Sequence, residues 1–546
     1  MIPGIVVAVY LAMILYVGLF AFRKGTSTGE DFFLASRTLG PWVFLLALFG
    51  TNMTAFAILG SSGLAYQRGI GVYGLMASAS GFVIPLSLFF IGTRLWALGK
   101  RHGYMTQVQY FRERWECSAI GTLIFALTAA MLVPYIIIGV MGGGHTLEAL
   151  TTVLGPDGKP VLREVIRNGQ TLMETQHWVS YEAGGAVVAL VVMTYVFFGG
   201  MRGTAWVNAL QTSMFLIFGS LAFVLIAKNL GGLDKIMESL AAKPATAGLL
   251  NRQRIPMEEF LSYTFIPLSS IMFPHVAIMC LTARKVTSFK KTVIFYPLCI
   301  MAVWLPSVLL GVIGAHQFPG LQPGESDEVV LRLLTANTHV WLAGALGAAI
   351  MACVMATDSQ ILALGTMFTQ DIFAYYGGRE RFGERVQVWT GRLFVIAITV
   401  IAYVIALQLK DKAGIFELAI RFAFSGFAAL APVMLAALFW RRSTKWGALA
   451  AVLWVLVSML GTWYLHESSV SIAPKPGQPL VPIFPELGGL FLRSPGNVLV
   501  HGFLPVVPMC LGSALLMLIG SLLTPPPSAA TIDKFFPSKP ETQRPD

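Results

Sequence analysis

Asp358 is the residue whose type and setting most suit chemistry. It lies in the apolar segment 339–373, HVWLAGALGAAIMACVMATDSQILALGTMFTQDIF, well away from either end, and no other carboxylate sits so deep in an apolar stretch. An ionisable group inside a bilayer is costly and by default marks a functional position. The chemistry it suits is cation binding, with protons competing for the same oxygens. The alternative is a carboxylate that faces an aqueous vestibule or caps local structure, since the segment is long enough to protrude. Thr357 and Ser359 flank it, but hydroxyls in membrane helices commonly bond the backbone one turn back.

Other polar groups are sparser. His275 follows Pro274 in an interrupted apolar segment, a place for either a hydrogen-bonded structural histidine or a ligand contact. Tyr135, in LVPYIIIGVMGGG, carries a polar tip that suits a solute cavity as well as core packing. Glu417 and Arg421 stand four apart, the orientation of a neutralised pair on one helix face. Gly139, Gly142, Gly143 and Gly144 lie in an apolar span with no GK[ST] after them, so they read as close helix packing and not as a phosphate loop. No triad, paired-carboxylate site or metal-ligand cluster is present, which argues against an enzyme and against any metal beyond a transported cation.

The elements that must position these groups are two broken apolar segments. Phe44 to Ala65, FLLALFGTNMTAFAILGSSGLA, is interrupted at Gly50, Thr51, Asn52 and Thr54. Phe260 to Ala283, FLSYTFIPLSSIMFPHVAIMCLTA, is interrupted at Pro267, Ser269, Ser270, Pro274 and His275. They open five spans apart, hence in opposite orientations. Corresponding interrupted helices in two inverted halves point to the binding site of a secondary transporter. Backbone groups freed at such breaks cannot face lipid, so they must line a cavity or be buried in protein.

Composition agrees. Of 546 residues 56% are hydrophobic and 12% charged, far from a soluble domain. About thirteen stretches reach the roughly 20-residue length of a span: 2–22, 41–66, 71–99, 119–149, 180–198, 203–228, 258–283, 292–316, 339–373, 388–408, 413–440, 444–466 and 498–523. The net charge of +11 is concentrated in alternate short loops: Arg23/Lys24/Arg37, Arg94/Lys100/Arg101/Arg112/Arg114, Arg284/Lys285/Lys290/Lys291, Arg379/Arg381/Arg385 and Arg441/Arg442/Lys445. This charge orients the chain in a cell membrane and is not a nucleic-acid signal. It places the N-terminus outside and the C-terminus in the cytoplasm, although the outer loops also hold Lys159, Arg163 and Arg167. The first span lacks a basic n-region and is followed by Arg23-Lys24, so it reads as a retained helix and not a signal peptide. Cys117, Cys280, Cys299, Cys353 and Cys510 show no CxxC spacing, which argues against disulfides.

The resulting organisation is an extra helix and loop (1–40), a first inverted repeat with its outer loop (41–257) and a second repeat (258–440). Two further helices (441–524) and a Pro-rich, polar tail expected to be disordered (525–546) follow. The interval 467–497 reads as an ordered cap.

Four motifs in order now carry a resemblance. YVFFGGMRGTAWVNALQ, from Tyr195 to Gln211, is similar to the "GG…W-T-D…Q" signature on the fifth core helix of the sodium:solute symporter family. Span 339–373 with its closing FTQDIF resembles that family's eighth core helix. MFPHVAIMCLTAR resembles the "PH" segment of the proline and pantothenate permease branch, and LFWRRSTKWGALAA the end of the tenth core helix. The resemblance covers nearly the whole chain. It implies an all-α integral membrane protein with a LeuT-type five-plus-five inverted repeat, an extra helix in front and about thirteen transmembrane helices. It also implies solute contacts at Thr54, Phe56, Tyr135, Ser270 and Phe273. Its cation positions fall on the backbone oxygens of Gly50 and Met53 and on Ala356, Thr357, Asp358 and Ser359.

Two departures stand out. Asn208 replaces the family's Asp in W-T-D, removing a carboxylate associated with a second cation site. The paired hydroxyls of the eighth core helix fall on Met355 and Ala356, or with one gap on Ala356 and Thr357, so at least one is missing within a turn of Asp358. The reading is a secondary active transporter that couples Na+ to uptake of a small organic solute by alternating access. A carboxylate or amino acid fits better than a sugar, because Phe56 and Met53 give the cavity an apolar side. H+ coupling through Asp358, uncoupled transport, and a transporter-like sensor module are the alternatives. Substrate identity and oligomeric state are not legible.

Overall fold

The computed structural model describes residues 2–23, 28–153, 155, 161–167, 170–410, 415–474 and 478–537. Lys24, Lys159 and the end of the tail, 538–546, lie outside the described residues. Long apolar runs must satisfy every backbone group internally, so the chain is almost wholly helical.

Helix α1 (Ile2–Arg23) precedes the bent pair α2 (Pro41–Asn52) and α3 (Phe56–Arg68). Next come α4 (Gly71–His102), the short α5 (Gln107–Arg114), α6 (Ser118–Leu150) and α7 (Tyr181–Asn229). A second bent pair, α8 (Met257–Met272) and α9 (Pro274–Leu281), opens the next half. It continues through α10 (Ser288–Gln317), α11 (Val329–Asn337), α12 (Val340–Ala374), α13 (Gly378–Leu409) and α14 (Ala419–Phe439). Helices α15 (Lys445–Ser468), α16 (Val506–Leu523) and α17 (Ala529–Phe535) complete the chain.

Ten described helices are long and apolar enough to cross a membrane, and the two bent pairs raise this to twelve. The thirteenth span is hidden in α7, whose 49 residues would reach about 74 Å at 1.5 Å per residue, far beyond a hydrocarbon core of about 30 Å. Gly200 breaks it with φ 50° and ψ −147°, a conformation glycine adopts without the penalty a Cβ brings. Tyr195 and Asn208, on opposite sides of that break, bond the same carboxylate. The chain therefore folds back there, and the expected spans 180–198 and 203–228 correspond to its limbs.

The bent pairs turn by 59° and 47°. Gly139, Gly142, Gly143 and Gly144 do pack tightly: a Cβ on Gly139 would stand 1.8 Å from Thr357 Oγ1, and one on Gly144 would stand 2.6 Å from the Tyr181 ring. A hairpin, β1 (Leu162–Arg167) and β2 (Gln170–Thr175), lies in the loop before α7. The interval 467–497 is ordered around the antiparallel strands β3 (Val481–Pro482), β4 (Phe491–Arg493) and β5 (Val498–Val500).

One expectation fails. Residues 528–537 are not a disordered tail, because α17 packs on the basic face and Phe535 and Phe536 are buried. Polar, Pro-rich composition hid two aromatic anchors at its centre.

Candidate functional site

At the first break α2 ends on Asn52, Met53 is extended, and α3 opens with a wide π-type turn over Phe56–Gly60. At the second, Phe273 is non-helical and Pro274 occupies the first position of α9, where its missing N–H costs nothing. The carbonyls freed by these breaks find side-chain donors, as buried backbone must. Thr51 O accepts from Gln360 Nε2 at 2.9 Å, Asn52 O from Tyr135 Oη at 3.3 Å, and Thr54 O from Cys353 Sγ at 3.1 Å. Met53 O lies 3.4 Å from the same thiol, and Met272 O accepts from Gln107 Nε2 at 2.9 Å.

Helix α12 is itself interrupted. Its regular ladder stops at Met355 and resumes at Asp358, leaving Ala356 and Thr357 in a turn. Asp358 thus heads a helical segment whose free amides favour negative charge. Its side chain is fully buried, and three side-chain donors surround it: Tyr195 Oη at 2.9 Å, Asn208 Nδ2 at 3.1 Å and Ser359 Oγ at 3.1 Å. Asn208 Nδ2 also lies 2.7 Å from Ser359 Oγ. Among the described residues no cationic side chain pairs with this carboxylate. Buried oxygens without partners include Asn208 Oδ1 and Gln360 Oε1 on the two helices of this cluster, and the Thr51 and Thr54 hydroxyls at the first break. Hard, partly orphaned oxygens beside an unpaired carboxylate are a donor set that fits a small hard cation.

The expected cation positions divide on this geometry. Asp358 and Ser359 share the cluster with Asn208 and Tyr195, which sequence reasoning had not placed there. Gly50 abuts the same limb of α7, where a Cβ would stand 3.2 Å from Asn208 O. Thr357 turns its hydroxyl to Val354 O at 3.1 Å, the backbone bond expected of a membrane hydroxyl. Ala356 offers only backbone.

A cavity of about 30 Å³ lies between the two breaks, lined by Asn52, Met53, Phe56, Ser269, Ser270 and Trp304 among others. That is room for one or two waters. Of the expected solute contacts, Phe56 and Ser270 are on its wall. Tyr135 and Phe273 stand outside it, stacked at 5.7 Å and fully buried, with Phe424 packed against both. His275 sits 4.8 Å from the Phe273 ring, buried, with neither ring nitrogen bonded. Trp304, which sequence reasoning missed, reaches the wall from α10 with a buried Nε1–H that has no acceptor. Its only sequence signal was a tryptophan two residues before Pro306 in mid-span.

On the face opposite the basic loops, His145 Nδ1 lies 2.8 Å from Glu328 Oε1, and Glu148 completes a group whose ligand atoms fall within 4.8 Å. Arg332 at 3.2 Å from Glu328 and Lys410 at 3.5 Å from Glu148 balance these carboxylates, so the group reads as an ion-pair network. Glu417 and Arg421 approach to 4.0 Å, the pairing that their spacing predicts.

Comparisons with known proteins bear on family and fold. The model of the sodium:solute symporter family matches residues 32–154 and 164–454. A sodium/proline symporter of Salmonella typhimurium is 25% identical over 474 residues, covering 82% of this chain and 84% of its own length. The osmoregulated proline transporter OpuE of Bacillus subtilis is 24% identical over 456 residues, covering 82% and 85%. Among solved structures, a Na+-coupled sialic acid symporter in a substrate-bound outward-open state superimposes with a TM-score of 0.70 at 14% identity, covering 96% of this chain and 98% of its own. Mhp1, a nucleobase-cation-symport-1 family transporter, superimposes with 0.53 at 12% identity, covering 92% and 97%.

Proposed function

The chain belongs to the sodium:solute symporter family, and from that premise we propose that it carries a small amino acid or carboxylate, proline-like in size, together with Na+. It is a multi-pass membrane transporter of LeuT-type fold and not an enzyme. Na+-coupled symport by alternating access is the activity of such a fold. The finer reading concerns solute, sites and orientation.

The observation that carries it is the pairing of a mostly apolar cavity between both breaks with a buried carboxylate cluster on α12. The cavity has few polar groups, which suits a compact solute with one apolar side. The proline transporters among its relatives are consistent with that size. At about 30 Å³ the space is too small for any such solute, so the broken helices must part to admit it. Halves 41–257 and 258–440 rock around the site, with the basic loops cytoplasmic, the N-terminus outside and the C-terminus inside.

Asp358, Ser359 and Asn208 hold the cation, with backbone oxygens of Gly50 and Met53 close by. A cation there replaces the missing counter-charge of Asp358, whose burial unpaired is otherwise expensive. Ser270, Phe56 and Trp304 contact the solute, and Thr54, Tyr135 and Phe273 shape the wall behind them. The test is uptake of L-proline and a panel of amino acids and monocarboxylates into proteoliposomes under imposed Na+ or H+ gradients. Na+-driven accumulation of at least one small zwitterion or carboxylate is expected. Accumulation of sugars alone, or dependence on H+ alone, would overturn the reading.

A further inference from the structure

The family match ends at residue 454, and α17, which lies beyond it, is seated on residues inside the matched range. Phe535 stands 5.6 Å from the His102 ring and 5.5 Å, edge-on, from Tyr110. The Phe536 ring is faced by three guanidinium groups, Arg114 at 5.1 Å, Arg94 at 5.3 Å and Arg441 at 5.9 Å. Such cation–π contacts gain strength when desolvated. Lys534 pairs with Glu113, which also accepts from Tyr104 Oη at 2.6 Å. Ser528 donates to Glu116 at 2.9 Å, and Thr531 donates to the same carboxylate.

Helix α5, which supplies Tyr110, Glu113 and Arg114 to this seat, is tied on its other side to the second break. Gln107 donates to Met272 O, the last residue before Phe273, at 2.9 Å. Thr106 Oγ1 donates to Asp371 of α12 at 2.8 Å, and Tyr110 Oη to Ala437 O of α14 at 2.6 Å. Helix α5 thus lies as a bolt between the C-terminal segment and the second break. Pro525-Pro526-Pro527 joins α16 to α17, and such a stiff, short tether keeps the effective concentration of the segment at its seat high.

We infer that the cleft formed by His102, Tyr110, Arg94, Arg114 and Arg441 is a docking surface for this chain's own C-terminal segment. Docking there holds α5 against the second break and keeps the basic-face exit shut. Release of Phe535 and Phe536 removes one of the restraints on α5, beside its bonds to α14, and so loosens its hold on Met272 and lets the exit open more readily. The surface is thereby a control point on the transport cycle, separate from solute and cation.

Hydrogen exchange of the full-length protein in lipid nanodiscs, with no solute and no gradient, tests this. Two variants are compared with wild type: a chain ending at Thr524, and Phe535→Ser with Phe536→Ser. In both, amides of 104–114 and 268–275 are expected to exchange about tenfold faster, as sub-global opening requires, while those of 340–355 are unchanged. Glu113→Lys should speed exchange of 104–114, and adding Lys534→Glu should restore protection. Unchanged protection of 104–114 and 268–275 in both tail variants would overturn the inference. Because the measurement needs neither solute nor ion, its outcome is separate from that of the uptake assay.

Discussion

Asn208 and Asp358, 150 residues apart in the chain, meet side chain to side chain at 3.1 Å in the protein interior. The helix limb whose family signature carries a carboxylate here carries an amide, and the helix facing it carries the carboxylate. The pair brings one negative charge to the junction of the two helices, and its role can be tested by exchanging the two residues.

Asp358→Asn should raise the half-saturating Na+ concentration for uptake by at least about tenfold, the worth of one charge-assisted ligand, with normal expression. Asn208→Asp places two carboxylates side by side, where like charges resist joint ionisation, and should make uptake steeply pH-dependent. The double exchange should recover part of the Na+ dependence. Unaltered Na+ dependence in Asp358→Asn would return coupling to backbone carbonyls and reduce Asp358 to a structural residue.

Trp304→Phe keeps the ring and removes the unpartnered N–H. If a solute acceptor meets that donor, the KM for uptake should rise about three- to tenfold, as loss of one buried hydrogen bond of about 1 kcal/mol predicts. Vmax and Na+ dependence should be unaffected. An unchanged KM would mean that Trp304 only packs.

Phe273→Ala empties a position ringed by Tyr135, His275, Phe424 and Phe427. A hole of that size costs about 3–5 kcal/mol, so thermal stability and folding yield should fall before any kinetic change can be read. Tyr135→Phe loses the bond to Asn52 O and the contact of its hydroxyl with Thr54 and should remain folded, with a KM shifted less than in Trp304→Phe. Measured thermal midpoints and uptake kinetics of the two variants separate packing from contact.

Legibility in the sequence followed the kind of signal. Spans, breaks and the buried carboxylate were visible because a bilayer imposes length and hydropathy and makes any charge conspicuous. Which faces meet was not visible, since pairing of α7 with α12 is a long-range contact with no local pattern. Tyr135 and Phe273 have the composition of solute contacts, yet packing turns them toward each other behind the cavity wall. Trp304 has the composition of core and reaches the wall instead. The tail misled because ten-residue composition averages out two phenylalanines, whose burial no local pattern signals.

A pH effect is expected in the loop between α10 and α11. Burial pushes the Asp327 carboxyl up to about 7 from its ordinary value of 3.8, against the lowering effect of the Ile415 N–H it accepts at 2.9 Å. His145 lowers it further, while Glu417 and Glu328 raise it. The native protein therefore holds this proton more tightly than the unfolded chain, and stability from it is complete below about pH 4 and fades as pH rises to about 7. The thermal midpoint of the wild type should fall across that window more steeply than that of Asp327→Asn. Parallel curves would assign the slope to other groups.

The fold-back at Gly200 bears on how the protein is made. No polar loop separates the limbs of α7, and a Cβ at Gly200 would stand 2.5 Å from Phe32 O. Limbs joined by so tight a turn are expected to enter the bilayer together, as a helical hairpin. Arg202, just past the turn, is held by Asp31 at 2.5 Å, a charge pair that keeps the tip of the hairpin on the basic face. Biogenesis is thus committed at one glycine, and lesions there should appear as protein that never reaches the membrane.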